Sequence, residues 1–238
     1  MKKKILVIFS LALIPLYVIY KIYRKEEYNY LAIGDELAKG HTPFNEYNIS
    51  YTDFLFDYLK QQHRNATINK NYIKEDMRIN DLFTELIKID KNSLSYSIKN
   101  ADIITLSIGS EEIFNKLKSN YEIYKENPKL IYNYIDDLFT NLSHLLKEFR
   151  KLSKKDIYII GYYSPLEYNE ENHIFIDSLF NYIDMKFKEL EKNSKVIYID
   201  IYHGFKNNPN YLPNKNHTFP SLDGYNYISN QIIKKIES

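Results

Sequence analysis

Two acidic residues lie just beyond apolar segments that have the composition of buried strands. Glu36 follows the apolar run 30–33, and Glu111 follows the apolar segment 102–108. Since the carboxyl ends of neighbouring parallel strands meet at one edge of a sheet, we expect the two carboxylates to approach each other. Carboxylates that converge in a partly dry cleft raise one another's pKa or bind a cation. The spacing therefore predicts an acidic cleft.

The residue types that the chain lacks exclude other kinds of chemistry. No Cys occurs among the 238 residues, which excludes disulfides, thiolate metal ligands and a thiol nucleophile. No His-x-x-x-His spacing, as in helical metal sites, is found among His41, His63, His144, His173 and His203. The candidate groups are therefore carboxylates, hydroxyls and single histidines.

The elements that must position these groups alternate between strands and helices. Strands are predicted at 30–33, 66–69, 102–108, 156–160 and 195–201, and helices at 50–62, 79–89, 128–152, 170–192 and 222–236. This alternation is typical of a parallel α/β sheet with helices on both faces. Ligands of such sheets bind at the carboxyl ends of the strands. The loops of interest are therefore 34–41, 70–78, 109–113, 161–168 and 203–221.

Composition places the chain among globular proteins. Apolar residues at 44% and aromatic residues at 16% exclude a disordered chain. Lys and Arg together number 32 against 31 Asp and Glu, so the net charge of +1 gives no reason to expect a nucleic-acid partner. Without an internal repeat or long linker, residues 28–238 are predicted to form one domain.

The N-terminus carries an uncharged apolar run, residues 5–20, between two groups of basic residues. Residues 22 and 23 extend it if Lys21 reaches the interface, so we expect residues 5–23, within an N-terminal segment 1–27, to be a single-pass membrane anchor. Three lysines before the run favour a cytoplasmic N-terminus and an extracytoplasmic domain. A cleaved signal and a secreted domain are the alternative. A buried core helix is disfavoured because the run has no polar face.

Five blocks along the chain resemble the SGNH/GDSL hydrolases, in particular a membrane-associated lipase/acylhydrolase branch. They are, in order, LAIGDEL at 31–37, NYIKEDMR at 71–78, ADIITLSIGSEEI at 101–113, GYYSPL at 161–166 and NHTFPSLDGY at 216–225. Three of the six glycines, Gly34, Gly109 and Gly224, fall on the family's glycine positions. The resemblance implies a flavodoxin-like three-layer sandwich with a central parallel sheet, preceded here by an N-terminal hydrophobic helix.

The family's reaction, which the resemblance implies, is acyl-ester hydrolysis. A Ser attacks the carbonyl carbon, a His takes the Ser proton, and an Asp orients that His. The Ser N–H, a Gly N–H and an Asn side chain hold the oxyanion. The family's positions for the Ser, Gly, Asn, Asp and His are occupied in this chain by Glu36, Asp76, Glu111, Asn216 and Phe219.

These replacements remove the chemistry that the resemblance would otherwise imply. Glu36 has no hydroxyl, Phe219 cannot accept a proton, and an ionised Glu111 repels an oxyanion. Loss of one oxyanion donor alone typically lowers turnover by ~10²–10³. We therefore expect a pseudoenzyme. The alternative is an active esterase with a rearranged site, in which Ser110 and His217 supply the nucleophile and the base.

The three acidic replacements suggest a second use of the cleft. Glu36, Asp76 and Glu111 stand where the family gathers its oxyanion hole, and oxygen ligands of this kind suit Ca²⁺ or Mg²⁺. The competing interpretations are that a carboxylate turns outward, or that Lys39 or Arg78 neutralises the cluster. No other cofactor is expected.

The sequence thus predicts a membrane-anchored, extracytoplasmic, SGNH-like protein without hydrolase activity. Its partners would be the membrane, through residues 5–23, and a cell-wall glycan, a lipid or an envelope protein in the cleft. A structural module whose cleft binds nothing is a third possibility.

Overall fold

The computed structural model describes residues 27–164, 166, 169–214 and 218–238. The predicted anchor at 5–23, as well as Asn216 and His217, lies outside the described residues. Five strands form one sheet in the order β2-β1-β3-β4-β5, and every neighbouring pair is parallel. The strands are β1 Tyr28–Gly34, β2 Ala66–Ile73, β3 Ile103–Ser107, β4 Asp156–Ile160 and β5 Ile197–Ile199. The predicted parallel α/β sandwich is confirmed.

Helices connect the strands and cover both faces of the sheet. They are α1 Glu36–Lys39, α2 Tyr51–Gln62, α3 Ile79–Leu86, α4 Leu94–Asn100, α5 Ser110–Glu126, α6 Pro128–Leu152, α7 His173–Ser194, α8 Tyr202–Asn207 and α9 Leu222–Ile236, with a 3₁₀ turn at Pro209–Tyr211. None of these helices has the length and apolar character that crossing a membrane requires.

Most predicted elements are present, with shifted ends. The strand predicted at 195–201 is only Ile197–Ile199, whereas β2 continues from the predicted 66–69 to Ile73. Four helices were not predicted, and three of them (α1, α4 and α8) have seven residues or fewer. Helix α4 buries only Leu94 and Ile98. Two apolar positions are too few to show a helical period in the sequence.

The core lies on both faces of the sheet. All five residues of β3 are buried, as expected for a central strand between two helical layers. On one face, Phe187 of α7 packs edge-on against Phe139 of α6 and stacks on Tyr198 of β5, with ring centroids 4.8 Å apart in both pairs. One cluster of buried side chains joins all five strands.

The parallel arrangement gives the sheet two different edges. At the amino edge the strands begin, and the helices α2, α4, α6 and α7 end there because each leads directly into a strand. At the carboxyl edge the strands end, and the first turns of α1 and α5, which carry Glu36 and Glu111, follow. The candidate site therefore lies at the carboxyl edge, and the chain enters the sheet at the opposite edge.

Candidate functional site

Glu36 is the central residue of the site. Asp35 caps α1, since its side chain accepts a hydrogen bond from the backbone N–H of Leu37, and this places Glu36 in the first turn. The Glu36 side chain is 8% exposed. Its Oε1 accepts a hydrogen bond of 2.7 Å from the backbone N–H of Asp76. A loop 40 residues away in sequence thus supplies the donor for this carboxylate.

Asp76 adopts a backbone conformation that L-residues seldom take. Its φ of 51° lies in the left-handed region, where glycine is favoured and Asp is one of the tolerated exceptions. The resembled motif has a Gly at this position, so the conformation supports the alignment. The Asp76 side chain is exposed, and its contribution to the site is therefore the backbone N–H.

The Glu36 carboxylate consequently occupies a donor that the family offers to the oxyanion. In the resembled hydrolases the N–H of this Gly is one of the groups that hold the negatively charged oxygen. Here a carboxyl oxygen of the protein itself accepts from that N–H. The other oxygen, Oε2 of Glu36, is buried and has no hydrogen-bond partner among the described residues.

Asp35 and Ser110 form a buried pair beside Glu36. Asp35 is fully buried, and the pKa of its carboxyl lies well above the usual value, first because of burial and then because of Glu36 and Glu111. The Ser110 hydroxyl donates to Asp35 Oδ2 at 3.5 Å and is 4% exposed. The partner of Ser110 is thus a carboxyl group. Its predicted pairing with His217 stays a prediction.

Glu111 lies in the first turn of α5 and is partly buried. Burial is the main cause that raises the pKa of its carboxyl to about 7, Glu36 adds to the effect, and Lys118 opposes it. Glu36 therefore acts electrostatically on both Asp35 and Glu111. These three carboxyl groups, rather than the trio with Asp76, make up the acidic cluster.

The expected cation site is not formed by the predicted trio. Within the described residues, no three His, Asp or Glu side chains are arranged to hold a metal ion. Asp76 supplies no carboxylate to the cluster, because its backbone N–H donates to Glu36 and its side chain is exposed. Among the described residues no set of three such side chains supports Ca²⁺ or Mg²⁺ at Glu36, Asp76 and Glu111, and cation binding in this cleft stays a prediction.

Lys39 does not neutralise the cluster. Its Nζ lies 2.5 Å from Oε1 of Glu75 and 4.2 Å from the centroid of the Tyr47 ring. This ion pair ties α1 to the turn that carries Asp76. Arg78, the other candidate, is exposed, and its backbone N–H donates to the Asp81 side chain at the start of α3.

His41 is a site residue that the sequence analysis did not single out. Its imidazole stacks on the ring of Phe219 with centroids 3.9 Å apart, and on Tyr47 at 4.8 Å. Its Nε2 lies 3.0 Å from Oδ1 of Asn45, whereas its Nδ1 is buried without a hydrogen-bond partner among the described residues. The sequence shows that His41 lies in loop 34–41. It does not show the stacking on Phe219, because this contact joins two loops that are distant along the chain.

Two of the family's glycines are required by close contacts at this edge. A Cβ on Gly34 would overlap the side chain and carbonyl of Ser107 on the adjacent strand β3. Gly109 has φ 91°, and a Cβ there would lie 2.7 Å from the Tyr162 hydroxyl. That hydroxyl donates to the carbonyl of Ile108 at 2.8 Å. The scaffold that shapes the cleft is therefore retained.

A family profile described as GDSL-like lipase/acylhydrolase matches residues 30–232. The chain belongs to this family. The match includes every strand of the sheet except the first two residues of β1, and it includes the segments that carry Glu36, Asp76, Glu111 and Phe219. A comparison with curated protein sequences finds no match.

Solved structures of a lipase and of an esterase share the fold. A lipase from a goat rumen metagenome superposes with a TM-score of 0.69 at 19% identity, over 87% of this chain and 96% of that chain. A catalytic mutant of an acetylxylan esterase from Geobacillus stearothermophilus gives a TM-score of 0.63 at 14% identity, over 89% of this chain and 94% of that chain. At these identities the likeness establishes the fold alone.

Proposed function

We propose that this GDSL-family protein is a pseudoenzyme that binds a cell-envelope glycan in its cleft and is held at the membrane by residues 5–23. The observation that carries the loss of activity is the hydrogen bond of 2.7 Å from the Asp76 N–H to Oε1 of Glu36. A carboxylate stands at the nucleophile position and uses an oxyanion donor, so a substrate carbonyl finds neither an attacking hydroxyl nor that N–H.

The position of the catalytic base supports the same proposal. Phe219, which stands there, is covered by the imidazole of His41. A general base must lie within hydrogen-bonding distance of the proton that it removes. The Ser110 hydroxyl is instead bonded to Asp35. That bond is also the observation that keeps the alternative open, since an esterase with a relocated site would have to start from Ser110.

Exposed apolar side chains beside the cleft support a binding role. In the loop that leads away from His41, Phe44 is 75% exposed and Tyr47 and Ile49 are each 46% exposed. Aromatic faces stack on the apolar faces of sugar rings, and such clusters on a monomer often mark a binding site. An acetylxylan esterase among the structural neighbours makes a glycan our choice over a lipid or an envelope protein.

Activity is tested with the full chain and a fluorophosphonate probe, which labels an activated Ser. We expect no labelling and no hydrolysis of short acyl esters by the wild type. The quadruple variant Glu36→Ser, Glu111→Asn, Asn216→Asp and Phe219→His, which restores the family's side chains, should be labelled. Glu36→Gln is the matched control, because it removes the charge without supplying a hydroxyl. Wild-type labelling that Ser110→Ala abolishes would establish the relocated esterase instead.

Binding is tested with cell-wall glycan pulled down by the wild type and by Phe44→Ala with Tyr47→Ala. We expect the double variant to lose glycan retention, because both exposed rings are removed. Leu130→Ala, an exposed apolar side chain on α6, is the control and should retain it. Retention of lipid or of an envelope protein in place of glycan would contradict the choice of ligand and leave the pseudoenzyme proposal standing.

Topology is tested by single-cysteine labelling, which the absence of natural Cys makes free of background. A membrane-impermeant maleimide should label Ile89→Cys in intact cells, since the Ile89 side chain is fully exposed. Lys3→Cys should be labelled only after lysis. Labelled protein in the medium that lacks the N-terminal segment would favour the cleaved signal.

A further inference from the structure

Basic side chains gather around a surface cavity at the amino edge of the sheet, opposite the acidic cleft. The cavity has a volume of about 630 Å³ and lies between the ends of α6 and α7. Its charged lining consists of one carboxylate, Asp156, and five cations, which we call the basic rim: Lys147, Arg150, Lys151, Lys154 and Lys195.

Two cations of the basic rim have structural partners. The Arg150 guanidinium donates to the carbonyls of Ser194 at 3.2 Å and Lys155 at 2.5 Å, so it joins the ends of α6 and α7. Lys151 pairs with Glu148 at 2.6 Å. Contacts within the fold therefore explain the presence of these two cations.

The other three cations of the basic rim have no such partner. Lys147, Lys154 and Lys195 are exposed, and no carboxylate in the described part of the chain forms an ion pair with them. Basic residues in the last turn of a helix interact favourably with its dipole, which explains one cation at each helix end. That effect does not explain why uncompensated lysines from two helix ends and a loop surround one cavity.

The chain enters the fold at this same edge. Tyr28 begins β1, and β4, whose first residue is Asp156 of the cavity lining, begins two strands away in the sheet. Only residues 24–27 separate Tyr28 from the apolar segment 5–23. Four residues span at most ~14 Å, because an extended chain advances no more than ~3.6 Å per residue. A membrane that held residues 5–23 would therefore lie within reach of the basic rim.

We propose that the basic rim docks on anionic lipid headgroups and so turns the acidic cleft away from the membrane. The inference rests on the proposed anchoring through residues 5–23. Lysines close to an anionic leaflet are attracted to it, and the attraction is screened by salt. The carboxyl edge, which carries Glu36 and the exposed Phe44, then faces the wall rather than the lipid.

The test measures which edge of the anchored protein lies near lipid. The full chain is reconstituted in phosphatidylcholine vesicles with or without phosphatidylglycerol, and a fluorophore is placed at Asn193→Cys in the cavity lining or at Phe44→Cys near the cleft. The vesicles carry a headgroup quencher. With anionic lipid, we expect stronger quenching at position 193 than at position 44, and a loss of that difference in high salt or in pure phosphatidylcholine.

Charge variants distinguish an effect of the basic rim on quenching from an effect of the net charge. Lys147→Glu with Lys154→Glu should remove the difference in quenching. Lys125→Glu with Lys129→Glu, two exposed lysines at the junction of α5 and α6, changes the net charge equally and should preserve it. Melting temperatures of both variants verify that each remains folded.

The outcomes separate the docking from the anchoring. Protein that floats with the vesicles but shows equal quenching at both positions would overturn the docking and leave the anchor intact. A difference that persists in Lys147→Glu with Lys154→Glu would also overturn it. Protein that fails to float would contradict the anchor itself, and the docking would fall with it.

Discussion

The Glu36 carboxylate satisfies a backbone donor that the GDSL family otherwise offers to a reacting carbonyl. Oε1 of Glu36 accepts the Asp76 N–H, and the same side chain raises the pKa of Asp35 and of Glu111. A Glu in place of the family's Ser at position 36 thus affects three groups, which are the Asp76 N–H, Asp35 and Glu111. This chain therefore departs from its family in single side chains at a retained scaffold.

The first prediction concerns Glu111 and pH. Its folded pKa of about 7 exceeds the ordinary value of 4.5. The stabilisation that the protonated carboxyl gives is therefore fully present below pH ~4.5 and is lost as pH rises through ~7. Glu111→Gln should remove about 2 kcal/mol of this dependence, a value discounted from the pKa shift because Glu111 is only partly buried. Urea unfolding at mildly acidic and mildly alkaline pH measures it.

The matched control for this prediction lies on the same helix. Glu126→Gln removes an exposed carboxylate at the far end of α5 and should leave the wild-type pH dependence in place. Part of the dependence should survive in Glu111→Gln, since the raised pKa of Asp35 acts in the same direction. Identical pH profiles for the wild type and Glu111→Gln would refute the assignment.

The second prediction concerns the left-handed backbone of Asp76. With φ 51°, Gly fits this position without strain, whereas an alanine pays a steric penalty of about 1 kcal/mol. Asp76→Gly should therefore be more stable than Asp76→Ala by about that amount, measured by urea unfolding. Both variants keep the backbone N–H that Glu36 binds. Equal stabilities would mean that the turn changes its conformation in Asp76→Ala.

At the scale of elements, the Arg150 side chain joins the ends of two long helices. Helices α6 and α7 lie side by side and end near each other at the amino edge, where four cations surround Arg150. The guanidinium of Arg150 reaches carbonyl groups on both sides of the gap. Its planar fork provides several donors in fixed directions, which a single ammonium group does not.

The third prediction follows from that joint. Arg150→Lys should lower the free energy of unfolding by about 1–3 kcal/mol, because carbonyl groups at the partly buried helix ends lose their donor. Lys151→Met is the control on the next residue. It removes only the exposed ion pair with Glu148 and should change stability by less than about 1 kcal/mol. Thermal unfolding followed by far-UV circular dichroism compares the two, and a smaller effect for Arg150→Lys than for the control would contradict the role.

At the scale of the whole molecule, the net charge of +1 includes the charges of an acidic edge and a basic edge on opposite sides of the sheet. The carboxyl edge gathers Asp35, Glu36 and Glu111, whereas the amino edge carries the basic rim. Parallel topology produces this separation, because it sends all strand ends to one side and the ends of the connecting helices to the other. The proposed orientation on a membrane uses both faces.

The fourth prediction concerns cooperativity. One cluster of buried side chains joins all five strands and both helical layers, so residues 28–238 should unfold in a single transition. Near-UV circular dichroism, which reports the packing of the tyrosines in this domain, should change together with the far-UV signal of the helices. Two separate transitions would mean that residues 28–238 form more than one folding unit.

The sequence alone determined the family, the parallel sheet and the missing catalytic side chains. Buried strands are continuous apolar runs, so the segment 102–108 could be assigned locally, and β3 is found at Ile103–Ser107. Gly34 and Gly109 marked positions where a side chain would collide with a neighbouring strand or loop. The absence of Ser at position 36 and of His at position 219 requires no structure to see.

The contacts that the replaced side chains make depend on the tertiary structure. The Asp76 N–H reaches Glu36 because β2 and β1 are neighbours in the sheet, and His41 covers Phe219 because their loops meet at the carboxyl edge. Periodicity and composition are local properties of a sequence. They place a side chain at the end of a strand, but its partner is set by the strand order, which follows from packing the whole chain around one core.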